Sequence, residues 1–153
     1  MPNSYTQIHI QFVFAVKYRR ALISPSWKNE LYKYISGIIA NRGHKLICIN
    51  GMPDHIHILI GLRPSQSISN LMQSIKGDSS KWINTNNFLK TKFEWQEGYG
   101  AFSYCRSSIP QIALYIENQE HHHKKHSFRE EYINFLNEFE VQYDERYLLN
   151  ELV

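Results

Sequence analysis

The chain has 153 residues and 18.2 kDa, 42% hydrophobic and 20% charged, which provides for one compact domain with a genuine core and excludes a multidomain machine. No segment approaches the roughly 20 apolar residues needed to cross a bilayer, and the opening MPNSYTQIHIQ lacks the basic-then-apolar layout of a secretion signal, so a cytoplasmic protein is expected. Cys48 and Cys105 are too few for a disulfide scaffold and lack the spacing of a zinc ribbon. The net charge of +3 is unevenly placed: residues 1–126 carry 15 Lys and Arg against 7 Asp and Glu, whereas residues 127–153 carry 2 against 7. A basic body with ten tyrosines, eight phenylalanines and three tryptophans suits a polyanion with exposed bases better than a lipid surface, although charge alone favours the plainer reading of a solvated surface around an aromatic core.

Ile8, Ile10, Phe12 and Phe14 recur at every second position, with Gln7, His9 and Gln11 among them, and predict a first, half-buried strand. Ser24-Pro25 reads as the start of a helix with an apolar face of Trp27, Leu31, Tyr34, Ile35 and Ile38, stopped by Gly43. A second strand over about 45–50 turns at Gly51-Met52-Pro53-Asp54 into a third, HIHILIGL, as an antiparallel hairpin. Ser67 caps a second helix bearing Ile68, Leu71, Met72, Ile75 and Trp82, and the polar run Asn84 to Asn87 reads as a loop. FEWQEG and GAFSYC read as one or two further strands. Ser108 and Pro110 open a third helix through about Lys124, and Ser127 with Glu130 matches a capping box for a fourth, with Tyr132, Phe135, Leu136 and Phe139 as its apolar face. This order predicts an α+β fold, a small antiparallel sheet with helices packed on it in a ferredoxin-like or RNA-recognition-like layout, as one domain over 1–153 whose residues 127–153 form an acidic helix and tail.

His55 and His57 are two apart in the third strand, so both imidazoles leave one face while Ile56, Ile58 and Ile60 leave the other. Their origins lie about 6.5 Å apart along the strand, close enough for two ring nitrogens to meet one ion. By itself a His-x-His pair is more often just a polar sheet face. On a continuous third helix, Ile109, Ile112, Ala113 and Ile116 form the buried face, and Tyr115 and Gln119 share its shoulder within about 40°, with His122 and His126 further along the same stripe. A lone tyrosine there is ordinary packing. A histidine-triad hydrolase would need a third histidine where Leu59 stands, and a metallo-β-lactamase pattern would need Asp-His where Ile60-Gly61 stands.

The combination resembles a known family. MPDHIHILI is similar to the His-hydrophobe-His strand, and YIENQEHHHKK to the tyrosine helix, of the single-tyrosine HUH transposases of IS200-like insertion sequences, including REP-associated relatives. VKYRR, KGDSSKW and SFREEYINFL…YDERY also look like that family, so the likeness covers nearly the whole chain. It implies an HUH endonuclease fold, a divalent ion (Mg²⁺ or Mn²⁺) on His55, His57 and Gln119, and Tyr115 as nucleophile. The substrate it implies is single-stranded DNA with hairpins near element ends, cut and rejoined through a 5′-phosphotyrosine by a homodimer. Forming a phenolate at pH 7 costs roughly 4 kcal/mol from an ordinary tyrosine pKa near 10, so the site must supply an activating group; Glu117 and a metal-bound water are candidates. Lys17, Arg19, Arg20, Lys76 and Lys81, interleaved with Tyr18, Trp82, Trp95 and Tyr99, are the expected strand contacts. For His121, His122 and His123 added phosphate contacts are one reading, and a solvated helix end is the expected one. Two other readings stand beside this one: a catalytically silent, domesticated DNA-hairpin-binding protein, and a non-enzyme with a regulatory metal on His122 and His126.

Overall fold

In a computed structural model the described residues, 4–124, 126–144 and 148, form a four-stranded antiparallel sheet with helices on both faces. The elements are β1 (His9–Ala15), α1 (Lys28–Asn41), β2 (Lys45–Met52), β3 (His55–Gly61), α2 (Ile68–Thr85), β4 (Gly100–Tyr104), α3 (Ile109–Glu117), α4 (Gln119–His122) and α5 (Phe128–Glu138). The strand order is β2-β3-β1-β4, so each helix α1 and α2 crosses over one intervening strand, which is the ferredoxin-like arrangement expected. The last residues of the tail motif, Glu145 to Tyr147, and residues 149–153 of the expected acidic tail lie outside the described residues.

Alternation in the two central strands sorts the faces. Ile10, Phe12 and Phe14 of β1 and Ile56, Ile58 and Ile60 of β3 meet Leu31, Ile35 and Ile39 of α1 and Leu71, Met72 and Ile75 of α2 in the main core. Each such buried side chain contributes about 1.5–3 kcal/mol, and together they fix the sheet as a platform. The opposite residues, Gln11, Val13 and Ala15 of β1 and His55, His57 and Leu59 of β3, are equally buried, beneath α3 and α5. The histidine face is therefore interior, not a wet sheet surface.

Several boundaries differ from those read in the sequence. The Ser24-Pro25 segment is a turn, with Trp27 and Lys28 amides donating to the Ser24 carbonyl, and α1 begins only at Lys28. α2 runs on to Thr85 because Asn84 is occupied in holding the next segment: its side chain accepts from the Phe93 amide at 2.7 Å and donates to the Phe93 carbonyl at 3.1 Å. FEWQEG is not a strand; Trp95 makes one isolated bridge to Val16. The third helix stops at Asn118 (φ −96°, ψ 25°) and resumes as α4. Ser127 caps α5 by accepting from the Glu130 amide, but the Glu130 side chain faces His126 instead of completing the box.

Gly51 opposes Ile56 across the β2–β3 hairpin, and a Cβ there would collide with the His55 carbonyl and come within 2.9 Å of the Ile56 Cα. Both obstacles are backbone, so Gly51→Ala is expected to lower stability by about 1–3 kcal/mol, read as a clear drop in melting temperature. An unchanged melt would mean that this hairpin does not set the position of His55.

Candidate active site

The hairpin turn, the tyrosine helix and α5 deliver the site's side chains. The turn is tied down by the Val16 amide on the Asp54 carbonyl and the Ile23 amide on the Pro53 carbonyl. It sets the Asp54 carboxylate 2.7 Å from His55 Nδ1. α3 rests on Leu59 through Ile109 and Ile116, and Asn50 of β2 donates to the Ile116 and Glu117 carbonyls at 3.0 and 3.1 Å, satisfying helix-end acceptors left by the break at Asn118. Tyr115 and Gln119 thus straddle a helix break, yet both turn toward the histidines.

Glu131 joins these groups. Its Oε1 lies 2.9 Å from His57 Nε2, 3.5 Å from His55 Nε2 and 3.3 Å from His123 Nε2. Its Oε2 accepts a short hydrogen bond from the Tyr115 hydroxyl and another, at 3.1 Å, from Gln119 Nε2. Gln119 Oε1 in turn lies 3.1 Å from both His55 Nε2 and His123 Nε2. His55, His57 and Gln119 are fully buried and Glu131 nearly so. The His55 ring stacks on Phe128 at 4.0 Å, so α5 contributes a wall as well as a carboxylate.

The outer nitrogens are equally committed. His57 Nδ1 lies 2.7 Å from Gln11 Oε1, whose amide donates to the Tyr104 hydroxyl, and His123 Nδ1 lies 2.8 Å from the His126 carbonyl. With Asp54 on His55, three Nδ1 atoms face oxygen acceptors, and the three Nε2 atoms converge on oxygen acceptors too. A neutral imidazole has one N–H and cannot serve both sides. The ligand atoms of His55, His57, His123 and Glu131 all lie within 4.8 Å of one another, so this donor set fits a cation.

The electrostatics agree. Burial works against an imidazolium at His55, but the Asp54 and Glu131 carboxylates outweigh it and raise its pKa to about 9; burial prevails at His57 and lowers its pKa. Burial also opposes ionisation of Glu131, yet the surrounding imidazoles and their hydrogen bonds hold the carboxyl well below its usual range. Burial, then the Glu131 charge and hydrogen bond, push the Tyr115 phenol far up. With Glu131 ionised against it, Tyr115 is held as a phenol.

The structure thus gathers Tyr115, His55, His57 and Gln119 in one subunit. It departs from the sequence reading at two other positions. His123 is not in a solvated helix end, because the turn after α4 folds its ring inward against His55 and Glu131; His121 is exposed and His122 half-buried. Glu117 is exposed, and the carboxylate on the phenol is Glu131. The sequence did carry a signal for Glu131: Phe128, Glu131 and Phe135 fall at i, i+3 and i+7, so a carboxylate occupies the apolar stripe of α5, where an ionised group needs partners. Of the expected strand contacts, Lys76 donates to the Gln96 and Gly98 carbonyls, and Lys17 pairs with Glu94. Arg19 lines a cavity of about 360 Å³ with Asp54 and His123, and Arg20 and Lys17 flank the exposed Tyr18 ring. Lys81 lies on exposed α2 surface. Trp95 is buried, and Trp82 stacks on Tyr34, so neither offers a free stacking face.

Raising the His55 pKa stabilises the fold fully below the unfolded value of 6.5, and that stabilisation is lost as pH climbs through about 9. In chelator, the chain is expected to lose roughly 3 kcal/mol between these limits, and Asp54→Asn to flatten the loss. Cys105, whose thiol Ser107 and Ser108 pull down to about 7, titrates oppositely, so the series belongs in a Cys105→Ser background. A Tm profile that Asp54→Asn leaves unaltered would remove the assigned cause.

Comparison with known proteins supplies a family. The profile of the family described as Transposase IS200 like matches residues 4–119. The chain is 28% identical over 118 residues to the ISDra2 transposase TnpA of Deinococcus radiodurans, covering 74% of this chain and 84% of that protein. Among solved structures, a Deinococcus radiodurans R1 protein described as a transposase superposes with a TM-score of 0.63 at 24% identity, over 76% of this chain and 94% of that one. A REP-associated tyrosine transposase bound to a REP hairpin superposes with a TM-score of 0.61 at 17% identity, over 79% of this chain and 72% of that one.

Proposed function

Because this chain belongs to the IS200-like transposase family, we propose that it cleaves and rejoins single-stranded DNA at element ends, with Tyr115 as nucleophile and His55, His57 and Gln119 holding a divalent ion, Mg²⁺ or Mn²⁺. The observation that carries this reading is the convergence of one phenol, two strand imidazoles and one amide on a single buried point. Isolated, each residue type has an ordinary structural use. Together, with every outer imidazole nitrogen already bonded, they form a site with cation-binding capacity beside a hydroxyl.

In this mechanism Tyr115 Oη forms the bond to phosphorus as its proton passes to the Glu131 carboxylate that accepts its hydrogen bond, and the P–O3′ bond breaks, leaving a 5′-phosphotyrosine and a 3′ oxygen that takes up a proton. The ester keeps the energy of the broken linkage, so a 3′-hydroxyl reseals the strand with no nucleotide cofactor. An ion held by His55, His57 and Gln119 would polarise the phosphate and stabilise the charge that develops on it. The chain's own residues do the rest. Asp54 and Gln11 orient the imidazoles, α3 aims the phenol, and the cover of α5 keeps water out. A cavity of about 260 Å³, lined by Tyr115, His122, Glu131 and Asn134, lies on the open side of the phenol and is large enough to admit a phosphate group.

Single-stranded DNA carrying hairpins is the proposed partner, since a relative of this fold is bound to a REP hairpin. Arg19, Arg20, Lys17 and Lys81 are its proposed backbone contacts, with Lys76 acting indirectly by bracing residues 96–98. No helix among the described residues is long and apolar enough to cross a membrane. We place the working protein in the cytoplasm as a homodimer and treat 1–153 as one catalytic unit.

Incubating the protein with a labelled single-stranded hairpin and Mn²⁺ is expected to give a covalent protein–DNA adduct on denaturing gels, absent in Tyr115→Phe and reduced by two or more orders of magnitude in His57→Ala. Hairpin binding with no adduct under any divalent ion would instead identify a silent binding protein.

A further inference from the structure

The strongest unassigned feature is the part of the cluster that comes from beyond the family match. That match ends at residue 119, whereas His123 and Glu131 lie after it, in the turn following α4 and in α5. Resting on the proposed function, we infer that His123 and Glu131 complete, with His55 and His57, a three-imidazole, one-carboxylate centre that takes a borderline transition-metal ion in preference to Mg²⁺ and that fastens α5 to the sheet.

The geometry carries this. Metal–nitrogen bonds of about 2.0–2.1 Å in a tetrahedral site place neighbouring ligand atoms about 3.3 Å apart. Glu131 Oε1 already stands 2.9, 3.3 and 3.5 Å from the Nε2 atoms of His57, His123 and His55. Each imidazole has its Nδ1 on an outer oxygen, of Asp54, Gln11 or the His126 carbonyl, which turns the Nε2 lone pair inward. Three inward lone pairs facing a carboxylate oxygen repel one another unless a positive charge sits among them. Gln119 Oε1, 3.1 Å from two of those nitrogens, is available as a further ligand.

The donor chemistry selects the ion. Mg²⁺ favours six oxygen ligands and keeps several waters, whereas imidazole nitrogens suit Mn²⁺, Co²⁺ and Zn²⁺ in rising order of affinity. A centre with three nitrogens and no exposed histidine among His55 and His57 offers Mg²⁺ little. The two oxygens of Glu131 divide the labour, Oε1 turning to the imidazoles and Oε2 holding the Tyr115 hydroxyl. The ion and the phenol would therefore share one carboxylate, and α5 would be retained by the metal as well as by Phe128, Phe135 and Leu136.

Co²⁺, Mn²⁺ and Mg²⁺ binding to the full chain would test this by calorimetry and, for Co²⁺, by visible d–d absorption, alongside hydrogen exchange of 128–138. Wild type is expected to bind Co²⁺ and Mn²⁺ at least tenfold more tightly than Mg²⁺, to give intense four-coordinate Co²⁺ bands, and to slow exchange in α5 when loaded. Glu131→Gln and His123→Ala should each weaken Co²⁺ binding by tenfold or more and abolish the protection of α5. His123 sits at the rim of the cluster, so His123→Ala remains informative if Glu131→Gln unfolds. Equal affinity for Mg²⁺, or binding and α5 protection untouched by His123→Ala while His55→Ala abolishes binding, would overturn this centre and leave the proposed function standing. Failure of the covalent-adduct assay with an intact Co²⁺ centre would do the reverse.

Discussion

One carboxylate, Glu131, placed among imidazole edges beneath a helix, organises the functional half of this molecule. A buried ionised group is tolerated only when surrounding donors replace the water it has lost. Here Tyr115, Gln119 and three histidines provide that replacement, drawn from four segments: α3, α4, the turn after it, and the first half of β3, which carries both His55 and His57. The same contact therefore does two things. It decides where α5 lies, and it decides which way every polar side chain of the site points.

The two faces of the sheet divide the work that makes this possible. Beneath α1 and α2 the interior is almost wholly aliphatic and aromatic, with Phe14, Phe93 and Trp95 in edge-to-face contact, and this half supplies the stability. Beneath α3 and α5 the interior is mixed. Val13, Phe102, Phe135 and Leu136 surround a polar centre whose groups would be costly if any were left without a partner. Such a centre specifies one arrangement sharply, because moving α5 by one helical residue would remove the Glu131 carboxylate from the imidazoles.

Much of this was legible from residues alone. The period-two pattern in Ile8 to Phe14 and in HIHILIGL identified the central strands and put both histidines on one face, and Gly51-Met52-Pro53-Asp54 marked the turn from β2 into β3. What was lost depended on distance in space. Nothing local distinguishes Trp95, which makes a single bridge, from a strand residue, since a missing partner strand leaves no mark on the sequence. The end of α3 at Asn118 depends on a side chain from β2, Asn50, arriving to take the last carbonyls. His123 reads as one more member of a polar run until the turn after α4 closes. Glu131 alone has a local mark, a carboxylate set between Phe128 and Phe135 in the apolar stripe of α5.

The depth of the imidazole pair imposes an order of events. Two side chains with no exposed surface cannot be touched by anything that merely collides with the protein, so an incoming group meets the cavity beside Tyr115 first and the imidazoles only afterwards.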